Sequence, residues 1–198
     1  LYYVHPSYIL YLGALFWILP LWWVVSYQGE VPYLLKNKIS KTVIGLFYLS
    51  FAWIALNILH QMPAGPVWIF VLFILVWSAD TFAYFIGKKW GNKFLAPLVS
   101  PKKTQAGFWG GLLGAMLIAS LLFLFKPDLS YLWFAIALIT ILLSILGDLF
   151  ESLMKRLSGV KDSGKLLPGH GGVLDRIDSL LGALPFYALG LSVLMGNL

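Results

Sequence analysis

The 198-residue chain lacks cysteine altogether, has only three histidines, and only 11% of its residues are charged. Without cysteine, disulfide bonds, thiolate catalysis and cysteine-ligated metals are excluded. A zinc site of several histidines is disfavoured, because His5 and His60 are predicted on the opposite membrane face from His170. The chain also lacks the P-loop, Rossmann, GxSxG and HExxH patterns, so the nucleotide-binding and hydrolytic chemistry that those motifs indicate is not expected.

Apolar residues are abundant instead, at 60% of the chain, and the mean hydropathy is +0.85. Six apolar stretches approach the ~20 residues that a helix needs to cross a ~30 Å hydrocarbon core. Their approximate bounds are 8–27, 42–60, 65–87, 106–125, 129–154 and 178–197. Runs such as FAIALITILLSIL are apolar on every face, which favours helices over a membrane β-barrel. We therefore predict an all-α, polytopic transmembrane bundle that forms one domain over residues 1–198.

The cations are distributed unevenly between the predicted connections. Thirteen Lys and Arg lie at the first, third and fifth connections, whereas Lys126 alone lies on the opposite side. Cytoplasmic loops of membrane proteins carry an excess of Lys and Arg, so we place these three connections in the cytoplasm and both chain ends outside. The net charge of +6 follows from the same bias and from contact with anionic lipid headgroups. No nucleic-acid partner is indicated.

Two acids interrupt the apolar stretches near the same end. Asp80 and Asp148 lie eight and seven residues before a lysine, which places each roughly 10 Å inside its helix end. Such residues normally face a polar cavity or a partner. Glu151, Ser152 and Lys155 share a helix face with Asp148. Two alternatives stay open: an ion pair with Lys155 that merely permits insertion, and a capping or interhelical hydrogen bond for Asp80.

Charge is concentrated between Ser152 and Asp178, where eight of the 22 Lys, Arg, Asp and Glu side chains fall. Five glycines and Pro168 exclude a continuous helix and let backbone amides approach a phosphate. The cations here are Lys155, Arg156, Lys161, Lys165 and Arg176, and the acids are Asp162, Asp175 and Asp178. Acids among phosphate-binding cations indicate a divalent ion, because Mg²⁺ is commonly held by one or two carboxylates plus substrate phosphates.

Two residues of this stretch have alternative roles. Asp178 stands at the predicted start of the last helix, where it would serve equally well as an N-cap. His170 can ligate a metal, bind a phosphate oxygen or donate a proton.

The same stretch carries a long pattern of specified residues. They are Ser152, Met154, Lys155, Arg156, Lys161, Asp162, Gly164, Leu167, Pro168, His170, Gly171, Gly172, Val173, Asp175, Arg176, Ile177 and Asp178. This pattern resembles the signature of the CDP-diacylglycerol synthases, also called phosphatidate cytidylyltransferases. The stretch SILGDLFES through Asp148 and the sequence SPKKT at residues 100–104 resemble that family as well.

The resemblance implies a membrane enzyme that transfers a cytidylyl group from CTP to phosphatidate, forming CDP-diacylglycerol and pyrophosphate with Mg²⁺. It also implies a homodimer in a bacterial inner membrane, with the active site facing the cytoplasm. Family members usually have further helices before the first span, and this chain begins at Leu1 rather than at Met. A second cation such as K⁺ in the same site stays open.

We expect Asp148 and Asp175 to hold the metal against the CTP phosphates, the pair that the resemblance also supports. The other residues expected in the catalytic centre are Lys155, Arg156, Lys161, Asp162, His170, Arg176 and Asp178. The residues expected to bind substrate are Ser78, Asp80, Lys88, Lys102, Lys103, Ser152, Gly171 and Gly172. For the two lysines of SPKKT, a general role at the membrane interface is equally plausible.

Three other functions compete with this interpretation. An ion or proton transporter would use Asp80 and Asp148, but the outer halves of their spans carry almost no polar residue. A CTP-dependent lipid kinase would use a similar site and yield different products. A purely structural subunit would leave the polar loop unexplained.

Overall fold

The computed structural model describes residues 6–126, 129–166, 168–169 and 171–196. Its elements are α1 (Pro6–Phe16), α2 (Ile18–Ser26), α3 (Lys38–Gln61), α4 (Gly65–Trp90), β1 (Phe94–Ala96), β2 (Ser100–Thr104), α5 (Gln105–Phe125), α6 (Leu132–Leu157) and α7 (Leu174–Leu194). A single 3₁₀ turn, Tyr33–Leu35, lies between α2 and α3.

Within the described part of the chain, six helical segments are long and apolar enough to cross a membrane. The first of them, Tyr8–Ser26, includes both α1 and α2, and the others correspond to α3, α4, α5, α6 and α7. The predicted helical membrane fold is therefore confirmed, and the chain is an integral membrane protein with six candidate spans.

The first span is not the continuous helix that its hydropathy predicts. It is interrupted at Trp17, between the end of α1 and the start of α2. Pro20 explains the position of the break, because proline has no amide hydrogen to donate to the carbonyl four residues earlier, at Phe16. Hydropathy alone does not detect such a break, since every residue around it is apolar or aromatic.

The last helix begins earlier than predicted, at Leu174 rather than at residue 178. Asp178 is therefore the fifth residue of α7, and the alternative that it is the N-cap is wrong. Asp175 lies in the first turn instead, where the positive end of the helix dipole favours a carboxylate. The prediction failed because the polar residues of the first turn were assigned to the loop.

A small antiparallel hairpin, β1 and β2, lies between α4 and α5, where the sequence predicted only a loop. Phe94 pairs with Thr104 and Ala96 pairs with Ser100. The hydroxyl oxygen of Thr104 then accepts a hydrogen bond from the Gly107 amide at 3.1 Å and so caps α5. The SPKKT sequence is thus the second strand, and it is fixed directly to a membrane helix.

α6 and α7 cross at a contact between two glycines. A Cβ atom added at Gly182 would lie 2.7 Å from the Cα of Gly147, and one added at Gly147 would lie 2.7 Å from the Asp178 carbonyl oxygen. Small residues let membrane helices approach this closely. The crossing places Asp148, the next residue of α6, beside the first turns of α7.

We predict that Gly182→Ala destabilises the protein by about 1–3 kcal/mol, the usual cost of overpacking. The added methyl would meet backbone atoms of α6 that have no room to move. Gly45→Ala in α3 is the matched control, because a Cβ there has nothing within 4 Å. Thermal unfolding in detergent measures both. Equal melting temperatures for the two variants would contradict the close crossing.

Candidate active site

A cavity of about 470 Å³ opens where the hairpin meets α4 and α6. We call it the hairpin cavity. Its charged lining residues come from three elements and are Asp80, Lys88, Lys102, Lys103 and Asp148. Lys103 Nζ lies 2.6 Å from Asp148 Oδ2, and each of these two side chains is 26% exposed. Asp80 interacts electrostatically with both residues. The intramembrane acids predicted to face a polar cavity therefore line the same one.

The remaining walls of the hairpin cavity are largely apolar. They are formed by Ala79 and Ala83 of α4, Phe108 of α5 and Ile145 of α6. Charged groups at one end of an apolar cleft suit an amphipathic ligand, because the head finds counter-charges while the tail stays out of water.

A second cluster centres on Asp175. Lys155 Nζ lies 2.7 Å from Asp175 Oδ1 and 2.5 Å from Glu151 Oε2. Asp175 Oδ2 accepts three hydrogen bonds, from the Ser163 amide at 2.9 Å, the Ser163 hydroxyl at 2.8 Å and the Gly172 amide at 2.8 Å. One carboxylate thus ties the loop to both α6 and α7.

The loop encloses a second cavity, of about 550 Å³, which we call the loop cavity. Its lining is Lys161, Asp162, Gly164, Lys165, Pro168, Gly169, Gly171 and Arg176. Gly169 and Gly171 have φ values of +73° and +86°, a backbone conformation that favours glycine. Between Leu157 and Leu174 the described residues form no helix, as the glycines predicted.

The hairpin and the start of α7 are joined through α6. Arg156 Nε donates a 3.4 Å hydrogen bond to the carbonyl of Val99, between the two strands. Ser152 lies one turn from Asp148, and its hydroxyl donates to Asp148 Oδ1 at 3.4 Å. Asp178 interacts electrostatically with Asp148. One face of α6 therefore extends from Asp148 in the hairpin cavity to Lys155, which pairs with Asp175 at the start of α7.

Several predicted site residues have other placements. Ser78 does not line the hairpin cavity, and its hydroxyl donates to the Leu75 carbonyl of its own helix at 2.8 Å. Lys155 pairs with Glu151, as the insertion-only alternative proposed, but it pairs with Asp175 as well. Arg156 lines neither cavity. His170 lies outside the described residues.

The two carboxylates predicted to hold a metal have different partners here. Lys103 pairs with Asp148 and Lys155 pairs with Asp175, and the described residues contain no group of three acidic or histidine ligands. Mg²⁺ needs only one or two carboxylates when substrate phosphates complete its shell. Asp148 fits this requirement well because it faces a cavity that also holds Asp80. Asp175 is more fully engaged, so the metal role of this pair stays a prediction.

Three contacts of the site were not predicted. Ser163 holds Asp175, Tyr48 donates to the Asp178 carbonyl at 3.1 Å, and Lys41 donates to the Leu157 carbonyl at 2.9 Å. A tyrosine in an apolar span is a weak signal of a buried polar contact. The sequence offers no signal for its partner, which lies 130 residues away.

The fold and the two cavities define a polytopic membrane protein with charged side chains lining both cavities. The family to which it belongs follows from comparison with known proteins: the cytidylyltransferase family model matches residues 1–194. The chain belongs to the cytidylyltransferase family. The resemblance drawn from residues 152–178 is thereby confirmed at the level of the family.

Comparison with individual relatives supports the same family. A phosphatidate cytidylyltransferase of Haemophilus influenzae is 39% identical over 196 residues, covering 93% of this chain and 68% of the relative. One of Pseudomonas aeruginosa is 43% identical over 183 residues, covering 91% and 67%. One of Bacillus subtilis is 40% identical over 162 residues, covering 77% and 60%. The chain thus spans about two thirds of the length of these relatives.

We predict that Asp175→Asn frees the loop. A hydrogen bond to a charged group contributes about 1.5–3 kcal/mol. Losing the charge of Asp175 should therefore raise the fraction of molecules whose loop is detached from the helices by about tenfold or more. Trypsin cleavage after Lys161 and Lys165 measures this opening. Asp162→Asn is the control, because it removes a carboxylate from the same loop but leaves the hydrogen bonds to Asp175 in place. Equal cleavage rates in the two variants would show that Asp175 does not hold the loop closed.

Proposed function

We propose that the protein transfers a cytidylyl group from CTP to phosphatidate, releasing pyrophosphate and forming CDP-diacylglycerol. The observation that carries this proposal is the presence of two cavities of different character, the hairpin cavity and the loop cavity. One is amphipathic and lies between membrane spans, and the other is polar and lies in the loop. A reaction between a lipid and a water-soluble nucleotide needs both kinds of site.

The hairpin cavity suits phosphatidate. Lys88, Lys102 and Lys103 can neutralise a phosphate monoester, while the apolar walls accept the glycerol and the beginning of the acyl chains. Ammonium groups bind phosphate as point charges. The depth of the site, within the spans but close to their basic ends, lets the lipid keep its tails in the bilayer.

The loop cavity suits the triphosphate of CTP. Lys161, Lys165 and Arg176 supply three positive charges, and the glycines permit close approach of backbone amides. Arg176 can bind phosphate oxygens through two parallel hydrogen bonds. The relatives named phosphatidate cytidylyltransferases support the same pair of substrates for this chain.

In the reaction, a phosphate oxygen of phosphatidate forms a bond to the α-phosphorus of CTP, and the bond from that phosphorus to the β-phosphate bridging oxygen breaks. The electron pair leaves with pyrophosphate. The attacking oxygen is already ionised at neutral pH, so no strong general base is required. Orientation and charge neutralisation dominate such transfers. Lys103 lines the hairpin cavity and Lys155 pairs with Asp175 beside the loop, and we assign to both the stabilisation of the negative charge that builds up in the reaction.

The residues fit a magnesium ion, which Asp148 would hold, with Asp175 contributing after exchange of its lysine partner. Bound there, Mg²⁺ would neutralise phosphate charge and orient the leaving group. A second cation such as K⁺ would share this site.

Orientation and assembly complete the proposal. Lys41 contacts the end of α6 and Arg156 contacts the hairpin, so the first, third and fifth connections meet at one end of the molecule. Their thirteen cations favour the cytoplasmic side of a bacterial inner membrane. The homodimer rests on the resemblance alone.

The products test the activity directly. Incubation of the purified protein with phosphatidate, Mg²⁺ and CTP labelled in the α-phosphate should place the label in CDP-diacylglycerol and release unlabelled pyrophosphate. A CTP-dependent kinase would instead leave the label in CDP and form a phosphorylated lipid. Heat-denatured protein is the control. Label found only in CDP would overturn the proposal.

A second experiment tests the proposed metal carboxylate. Asp148→Asn should lower turnover about 100-fold or more, because losing a metal ligand removes several kcal/mol of transition-state stabilisation. It should also weaken Mn²⁺ binding measured without substrates by electron paramagnetic resonance. Lys102→Ala is the control, expected to raise the KM for substrate while leaving Mn²⁺ binding intact. Near wild-type turnover of Asp148→Asn at limiting Mg²⁺ would rule out the metal role.

A further inference from the structure

Helix α3 carries none of the residues predicted for the site, yet it bonds to α6 and α7, two of the helices that do. Lys41 Nζ donates a 2.9 Å hydrogen bond to the carbonyl of Leu157, the last residue of α6. Tyr48 Oη donates a 3.1 Å hydrogen bond to the carbonyl of Asp178 in α7. The two residues are seven positions apart, so they share one face of α3 and are separated by about 10 Å. We call these two hydrogen bonds the α3 ties.

The Lys41 tie acts at a helix end. The last four carbonyls of a helix have no intrahelical partner, and the C-terminus carries partial negative charge. An ammonium group there is favourable on both counts. Residues 148–156, which carry the predicted α6 site residues, lie immediately before this anchored end.

The Tyr48 tie reaches both site helices. The tyrosine is buried, and its ring meets the Phe150 ring of α6 edge-on at 5.5 Å. Phe150 lies between Asp148 and Glu151 in the sequence. The same tyrosine therefore packs against α6 beside Asp148 and Glu151 and bonds to α7 at Asp178.

The glycine crossing explains why such ties are needed. Gly147 meets Gly182 and Ile136 meets Gly190, so packing fixes α6 and α7 over their apolar parts. The ends beyond Gly147 extend past these contacts, and Leu157 is ten residues, or about 15 Å, along the helix. A small shift of these ends relative to each other would move Lys155 away from Asp175. The Lys41 tie holds the end of α6, and the Tyr48 tie holds α7 at Asp178.

We infer that Lys41 and Tyr48 are positioning residues, which hold the ends of α6 and α7 beyond the glycine crossing in place and thereby set the distance between the two halves of the active site. They act through the site residues and touch no substrate. The kinetic part of the inference rests on the proposed function, whereas the geometric part does not.

The kinetic test uses substitutions that remove one tie each. Tyr48→Phe removes only the hydroxyl, and Lys41→Met removes only the ammonium. Misplacing reacting groups by about 1 Å costs up to about 100-fold in rate, so kcat should fall by about 10- to 100-fold while KM values change little. Lys41→Arg keeps a cationic donor and should restore most of the rate.

Matched controls make the same chemical changes without a tie. Tyr33→Phe alters a tyrosine that is 86% exposed, and Lys38→Met removes an exposed charge from the same end of α3. Both should retain the parent kcat. A parent-like kcat in Tyr48→Phe and Lys41→Met, or a loss of kcat equal to that of the controls, would overturn the inference.

The geometric test needs no activity. Because the chain has no cysteine, spin labels at Ser158→Cys and Val173→Cys report the distance between the end of α6 and the start of α7. Tyr48→Phe and Lys41→Met should broaden this distance distribution, and the controls should not. Unchanged distances with lost activity would refute positioning. Broadened distances in a protein that forms no CDP-lipid would support the α3 ties and refute only the proposed function.

Discussion

α6 and α7 touch backbone to backbone where Gly147 meets Gly182, and the positions of the acids depend on this contact. Asp148 follows the first glycine directly, and Asp178 lies one turn before the second. With a side chain at either position the helices would move apart, and Asp148 and Asp178 would be separated. The site is therefore built on helices rather than on the loop, and the loop is secured to them afterwards through Asp175.

Charge compensation then determines how the polar segments fold. A carboxylate within a span is costly unless it is paired, and the partners come from distant parts of the chain: Lys103 from the hairpin for Asp148, and Lys155 from α6 for Asp175. These ion pairs close the hairpin and the loop onto the membrane helices. In the proposed reaction the same lysines face phosphates, so ligand binding exchanges one negative partner for another and leaves little unpaired charge.

Much of this arrangement was predictable from local sequence. The six spans follow from hydropathy, and the polar loop follows from acids and cations that positive-inside bias alone does not explain. The break at Trp17, the hairpin and the early start of α7 depend on backbone hydrogen bonding, which composition does not report. The contacts of Tyr48 and Lys41 were missed for another reason, because each side chain bonds to a backbone carbonyl. Every residue type has such a carbonyl, so the sequence does not identify the partner.

The distribution of polar groups along α6 separates an enzyme from a transporter. Ser144 and Thr140 continue outward from Asp148 at intervals of four residues, the spacing that a proton path along one helix face would use. Both are essentially inaccessible, at 1% and 0% exposure, and the Ser144 hydroxyl donates to the Ile141 carbonyl of its own helix. Neither lines the hairpin cavity, whose α6 lining ends at Ile145. The hairpin cavity therefore does not continue past Ile145 toward the opposite membrane face. This is what a site that receives both substrates from one face of the membrane requires.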